Sequence, residues 1–250
     1  MNCKNCQEEF EGKFCSNCGQ NSKVGKINYE HVVNEISESV FQLNHGLLFT
    51  IKELFFRPGI RIKDYLDGKR KNYFKPIAYV LLLSTIYGLL STLVDQGTFI
   101  GETVRGISAT FAKEMESNRV SGILYWIANN HAYATLILLP FFAISSYLAF
   151  MSFKLNYFEH IIINAYITGQ QAIIYSLFAI LQAVTKSQNY LISLIPLFLS
   201  LALAFWTFYK VFGKIKWLKA ILLTILTYLI YDIFIFGFIT VIIIVGKIST

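Results

Sequence analysis

Charge is what this sequence has least of: Asp, Glu, Lys and Arg together supply 15% of its 250 residues, where a soluble domain carries roughly 25%. Cysteine is absent after residue 18, and proline occurs at only four positions. The shortage of charge argues against an ordinary soluble enzyme and, with long apolar runs, places the chain in the membrane class. Cysteines confined to one end argue against a secreted disulfide scaffold. Also missing are G-x-S-x-G, H-E-x-x-H, Walker and glycine-rich nucleotide motifs. No residue is therefore assigned a catalytic role, and an enzyme is the lesser alternative. Met1-Asn2-Cys3-Lys4-Asn5-Cys6 holds no apolar core and no small-residue cleavage site. No signal peptide is expected there, and the N-terminus is expected in the cytoplasm.

What the chain does have begins with those cysteines. Cys3-x2-Cys6 and Cys15-x2-Cys18 are separated by eight residues. Each pair can form a knuckle that aims two thiolates at one point, and two knuckles close a tetrahedral shell around zinc. Such a site has no open coordination position, so the zinc is expected to be structural. Redox dithiols and an iron–sulfur centre are the alternatives, but a redox pair belongs at a strand–helix junction of a larger domain. Gly19 permits the tight backbone of a knuckle, and Phe10 and Phe14 are expected as apolar lids. Residues 1–20 form this zinc ribbon; so small a domain needs the metal to fold.

Residues 20–26 read as a flexible linker. From Asn28 to Phe56 apolar residues, among them Val32, Val40, Phe41, Leu43, Leu47 and Leu54, recur at helical spacing with Glu30, Glu35 and Glu38 between them. This predicts one or two amphipathic helices lying on the membrane or against the bundle, ended by Arg57-Pro58-Gly59. Between Lys52 and Lys75 eight Lys/Arg face three acids. Lys69, Arg70, Lys71 and Lys75, with Tyr65, Tyr73 and Phe74 beside them, suit anionic lipid headgroups; a topology signal is the plainer reading. A nucleic-acid partner is not expected. Residues 21–76 form this linking segment and 77–250 a transmembrane bundle.

Apolar stretches predict an all-α polytopic protein with about five spans, near 77–94, 133–153, 161–184, 191–209 and 218–245. A cytoplasmic N-terminus then puts the C-terminus outside. Seventeen Lys/Arg fall on the cytoplasmic side of that arrangement and five on the other, of 22 in all, as the positive-inside rule requires. The 95–132 loop, bearing Asp95, Glu102, Glu114 and Glu116, is then external and part helical.

Two spans are not wholly apolar. His160, Asn164, Thr168, Gln171, Tyr175 and Gln182 share one face of the third, and Thr224, Tyr228 and Asp232 share one face of the fifth. Asp232 lies near mid-span, where an ionisable group is costly unless paired or hydrated. His160, Asn164, Gln171, Tyr228 and Asp232 make a candidate intramembrane polar site. The plainer reading is that a protonated Asp232 hydrogen-bonds Gln171 or a tyrosine and holds two helices together. Glu159-His160 suggests acid–base chemistry only weakly.

Cys15-Ser16-Asn17-Cys18-Gly19-Gln20, Pro58-Gly59, Ile62, Tyr65, Gly68-Lys69-Arg70, Tyr73, Pro76 and Asn156-Tyr157-Phe158-Glu159-His160 resemble the motifs of a bacterial inner-membrane family known as a domain of unknown function. The resemblance implies an inner-membrane protein with a zinc ribbon, and brings no reaction with it. Three functional readings follow. The first is a membrane-anchored interaction protein whose ribbon docks a cytoplasmic partner. The second is a small transporter or channel-like module using the polar stripe, and the third is an enzyme acting on lipid.

Overall fold

The computed structural model describes residues 1–39, 46–94, 97–110, 118–186, 190–213 and 215–248. Val40, Phe41, Leu43, Asp95, Glu114, Glu116 and Lys214 lie outside the described residues.

The N-terminal ribbon is one pattern used twice. The Cys3 amide donates to Glu8 O and the Gln7 amide to Cys3 O, while the Cys15 amide donates to Gln20 O and the Gly19 amide to Cys15 O. Bridges Asn2–Glu9 and Phe14–Asn21 close the two units at matching offsets. The residue after each second cysteine turns left-handed, Gln7 at φ 65° and Gly19 at φ 71°, because that turn brings the next amide back to the first cysteine. Gly19 adopts it without strain. Phe10 is buried beneath the sulfurs, whereas Phe14, expected as a second lid, is 61% exposed.

Three helices follow: α1 (Tyr29–Ser39), α2 (Leu47–Phe56) and α3 (Pro58–Leu66). The Arg57-Pro58-Gly59 break ends α2 as expected, but it also starts α3. Pro58 occupies the first turn of α3, where its missing N–H and fixed φ cost nothing. Thr50, Leu54, Ile62 and Tyr65 are buried, so these helices pack on the bundle. Gly59 is the point of closest approach, since a Cβ there would overlap the backbone of Lys210.

Five helices are long and apolar enough to cross a membrane: α4 (Pro76–Leu93), α7 (His131–Ala149), α8 (Tyr157–Thr185), α9 (Tyr190–Phe212) and α10 (Trp217–Ile248). The second span begins at His131, earlier than its apolar run suggests, and it also ends earlier, at Ala149, where a 3-10 turn, Met151–Phe153, takes over. Between α4 and α7 lie α5 (Phe99–Thr110) and α6 (Asn118–Asn129). Their Val104, Leu124 and Ala128 gather round Ile239 of α10.

α4 and α8 form the centre. Gly169 of α8 lies so close to α4 that a Cβ would run into the Tyr79 ring. Tyr79, Tyr166 and Tyr65 then meet edge to face at 5.6 and 5.8 Å, joining α4, α8 and α3 in one buried column. Half of the α4 spanning residues are buried but only 11% of those of α10, which makes α10 the peripheral helix.

Candidate functional site

The four cysteine sulfurs lie within 4.8 Å of one another, with Cys3 and Cys18 3.5 Å apart and Cys6 and Cys15 3.6 Å apart. Zn–S bonds of about 2.3 Å need tetrahedral edges of about 3.8 Å, so the set fits one metal ion. All four thiols are free of disulfides, and a metal here would hold both knuckles together.

The ribbon is fastened to the basic loop between α3 and α4. The Gln20 side chain donates to Gly68 O at 2.9 Å and accepts from the amides of Arg70 and Lys71 at 3.1 and 3.2 Å. Gly68 stands at φ 103°, and a Cβ would press on Lys4 Cδ at 2.9 Å and Val24 Cγ1 at 3.0 Å. Arg70 donates to Tyr65 O and Gly25 O and lies over the Tyr65 ring. The segment read as a flexible linker is thus held at both ends, for Ile27 is buried and its carbonyl accepts from Asn156 of α8.

Beneath the loop, Glu35 of α1 caps α4 by accepting from the Ile77 amide at 2.9 Å, one of the donors a helix start leaves without an internal partner. Burial raises its carboxyl to about 7, against the pull of that amide and of Lys75 and Arg70. Thr50 accepts from the Phe74 amide, Tyr166 donates to Phe74 O, and Gln170 donates to Ile51 O. An open cleft of about 870 Å³ runs between ribbon and α1, lined by Lys23, His31, Glu35, Arg70, Lys71 and Lys75 among others.

Of the basic residues matched to lipid headgroups, Lys71 is exposed and borders this cleft with Lys75. Lys69 is paired with Asp64 at 2.8 Å, and Arg70 is built into the junction.

A second cavity, of about 350 Å³, lies among α4, α5, α7, α8, α9 and α10. The chain directions put it in the half of the bundle away from the ribbon. Ser84, His131, Thr135, Gln171, Ser200 and Asp232 are its main polar walls; Tyr87, Phe99, Phe142, Tyr175, Tyr228 and Tyr231 are its aromatic ones. Phe99 closes it by donating its amide to the Tyr87 hydroxyl at 3.0 Å and stacking on Tyr175 at 5.4 Å. Gln171 donates to Tyr228 Oη at 3.0 Å and to Ser200 O at 3.2 Å.

The plainer reading has Asp232 bonding Gln171 or a tyrosine; among the described residues Asp232 makes no such bond and stands exposed at the rim, while Gln171 directs its amide to Ser200 and Tyr228. The carboxylate borders both this cavity and an outer groove of about 360 Å³ between α9 and α10. The two spaces share Leu201, Tyr228 and Asp232.

His160 and Asn164 do not join Asp232, Gln171 and Tyr228. They form a separate buried knot with α7, in which Asn164 donates to Ser146 Oγ at 2.6 Å and His160 Nδ1 lies 2.9 Å from the same oxygen. Glu159 caps its own helix by a reciprocal bond with Asn156. Gln20, Glu35, Ser146 and His131 were not singled out by the sequence. Gln20 ends a quoted motif, and His131-x3-Thr135 was hidden because the span was read from 133.

Residues 45–88 match the family described as Protein of unknown function (DUF3667). That stretch covers α2, α3, the basic loop and most of α4, the layer to which ribbon and α8 are fastened. No curated protein and no solved structure matches.

Proposed function

We propose that this protein is a membrane-embedded binding module that takes a small molecule into the cavity between its spans. One observation carries the reading. Five spans and α5 enclose about 350 Å³ walled by aromatic rings and a few convergent polar groups, within the usual range of small-ligand sites at roughly 300–1,000 Å³. This favours the transport-like reading over the scaffold one, since Gln20 of the ribbon is already bonded to the basic loop of its own chain.

The metal of the ribbon is zinc in this reading, held by Cys3, Cys6, Cys15 and Cys18 in a structural role. The ribbon and basic loop face the cytoplasm of a bacterial inner membrane and the C-terminus lies outside, as the distribution of Lys and Arg supports. Lys71 and Lys75 meet anionic headgroups at the cleft. A cytoplasmic partner is the second reading, favoured by Phe14 standing 61% exposed on the ribbon.

Extraction with native lipids followed by native mass spectrometry tests the binding function. Wild type should carry a small molecule that is lost when the cavity is filled by Ala172→Phe or Thr168→Phe. An empty wild-type protein, or an adduct indifferent to both fillings, would overturn the reading.

A further inference from the structure

The cavity has a charge sign and an entrance. Among the described residues that line it there is no lysine or arginine, while Asp232 contributes a carboxylate. His131 also lines it, packed edge to face on Tyr87 at 4.7 Å with Thr135 Oγ1 3.5 Å from its Nε2. Hydrocarbon cannot solvate a carboxylate, and no described side chain bonds that of Asp232, so its charge needs either a proton or a cation from outside the chain to neutralise it.

The walls of the same cavity are rich in aromatic rings. Phe142 lies 5.4 Å from Tyr228 and 5.1 Å from Tyr231, while Tyr87 and Phe99 stack on Tyr175 at 5.7 and 5.4 Å. Aromatic faces attract cations, and the attraction grows when water is excluded. A metal ion is best held by several oxygens with carboxylates among them, and Asp232 is the one carboxylate among the described lining residues. An alkylammonium group needs only ring faces and one negative charge. The outer groove, lined by Leu201, Ala202, Phe205, Ile221, Ile225 and Leu229 beside Tyr228 and Asp232, is apolar and lies on the peripheral side, where α9 and α10 meet lipid.

We propose that Asp232 anchors a small organic cation with an apolar body, an amine or quaternary ammonium, which enters the cavity from the bilayer between α9 and α10. The inference rests on the binding function above and adds its ligand class and route.

The test uses the full chain in zwitterionic nanodiscs. The probes are benzyltrimethylammonium and neopentylbenzene, which have the same shape but differ in charge. Wild type should bind the cation at least tenfold more tightly than the neutral probe. Asp232→Asn should lose that preference and still bind neopentylbenzene, Asp232→Glu should restore it, and Ala172→Phe should bind neither. Ala202→Trp, which fills the groove and not the cavity, should slow cation association at least tenfold with Kd unchanged. If both probes bind alike and Asp232→Asn makes no difference, the cation site is refuted while the cavity remains a binding site. If neither probe binds wild type, both are refuted. Unchanged association in Ala202→Trp would refute the lateral route.

Discussion

Gln20 and Gly68, 48 positions apart, are joined by a 2.9 Å hydrogen bond from the glutamine amide to the glycine carbonyl. The carbonyl end of that amide takes the N–H groups of Arg70 and Lys71. One side chain thus satisfies three backbone groups of the loop that leads into the first span.

Gln20→Ala should therefore loosen the loop without emptying the metal site. A buried backbone group left unsatisfied costs about 1–3 kcal/mol. Hydrogen exchange across residues 66–73 should rise while bound zinc stays constant. Loss of zinc together with exchange protection would show that Gln20 supports the knuckle itself.

Cys6→Ser should do the reverse, since the ribbon has no adequate core without metal. Wild type should carry about one zinc per chain, as a closed four-thiolate site requires. The variant should lose it and expose residues 1–24 to protease, with the bundle still folded by circular dichroism. Iron–sulfur absorption in the wild type would contradict the metal assignment.

The basic residues should separate by role. Arg70→Gln removes donors to Tyr65 O and Gly25 O and should lower thermal stability in any lipid. Lys71→Gln should leave stability unchanged and weaken association with anionic vesicles, more visibly at low salt, where exposed charges are less screened. Equal effects of both changes on vesicle binding alone would remove the distinction.

Glu35 links stability to pH. Its carboxyl, ordinarily at 4.5, is raised to about 7 in the fold, so between those values the folded chain holds a proton that the unfolded chain has lost. Stability should fall as pH rises through that window, by about 3 kcal/mol if the whole shift is expressed, at 1.36 kcal/mol per unit. Glu35→Gln keeps an oxygen for the Ile77 amide and should flatten the slope, melting higher than wild type at pH 8. A wild-type melting temperature equal at pH 5 and pH 8 would contradict the assignment.

Gly169 and Gly237 test the packing of the spans. A Cβ at Gly169 would enter the Tyr79 ring, whereas one at Gly237 meets nothing within 4 Å. Gly169→Ala should destabilise strongly, as overpacking costs about 1–3 kcal/mol or more, and Gly237→Ala should be silent. Similar melting temperatures for the two variants would refute the close approach of α4 and α8.

The spans and the cysteine cluster were legible because each is a local pattern: a run of apolar residues about one bilayer long, or two thiols three positions apart. Asp232 and Gln171 could be flagged because polarity inside such a run is conspicuous. Their separation from His160 and Asn164 was not legible, since a shared face on α8 says nothing about which neighbour covers each turn. α7 covers the first turns through Ser146, and α9 and α10 cover the middle ones. The contacts of Gln20 and Glu35 were hidden for the same reason, as their partners lie more than 40 positions away.

The spans are unequal, and the shortest sets the fit to the bilayer. α4 has 18 residues and α8 has 29, or about 27 and 44 Å at 1.5 Å per residue, against a hydrocarbon core of about 30 Å. α8 can tilt to absorb its excess, but α4 has none, and a thicker membrane must pull in or thin around it at a fraction of a kcal/mol per Å. The distal end of α4 carries Tyr87, whose hydroxyl holds the Phe99 amide over the cavity. Hydrophobic mismatch therefore acts first on that closure, so longer acyl chains should open the distal end of the cavity before they disturb the ribbon.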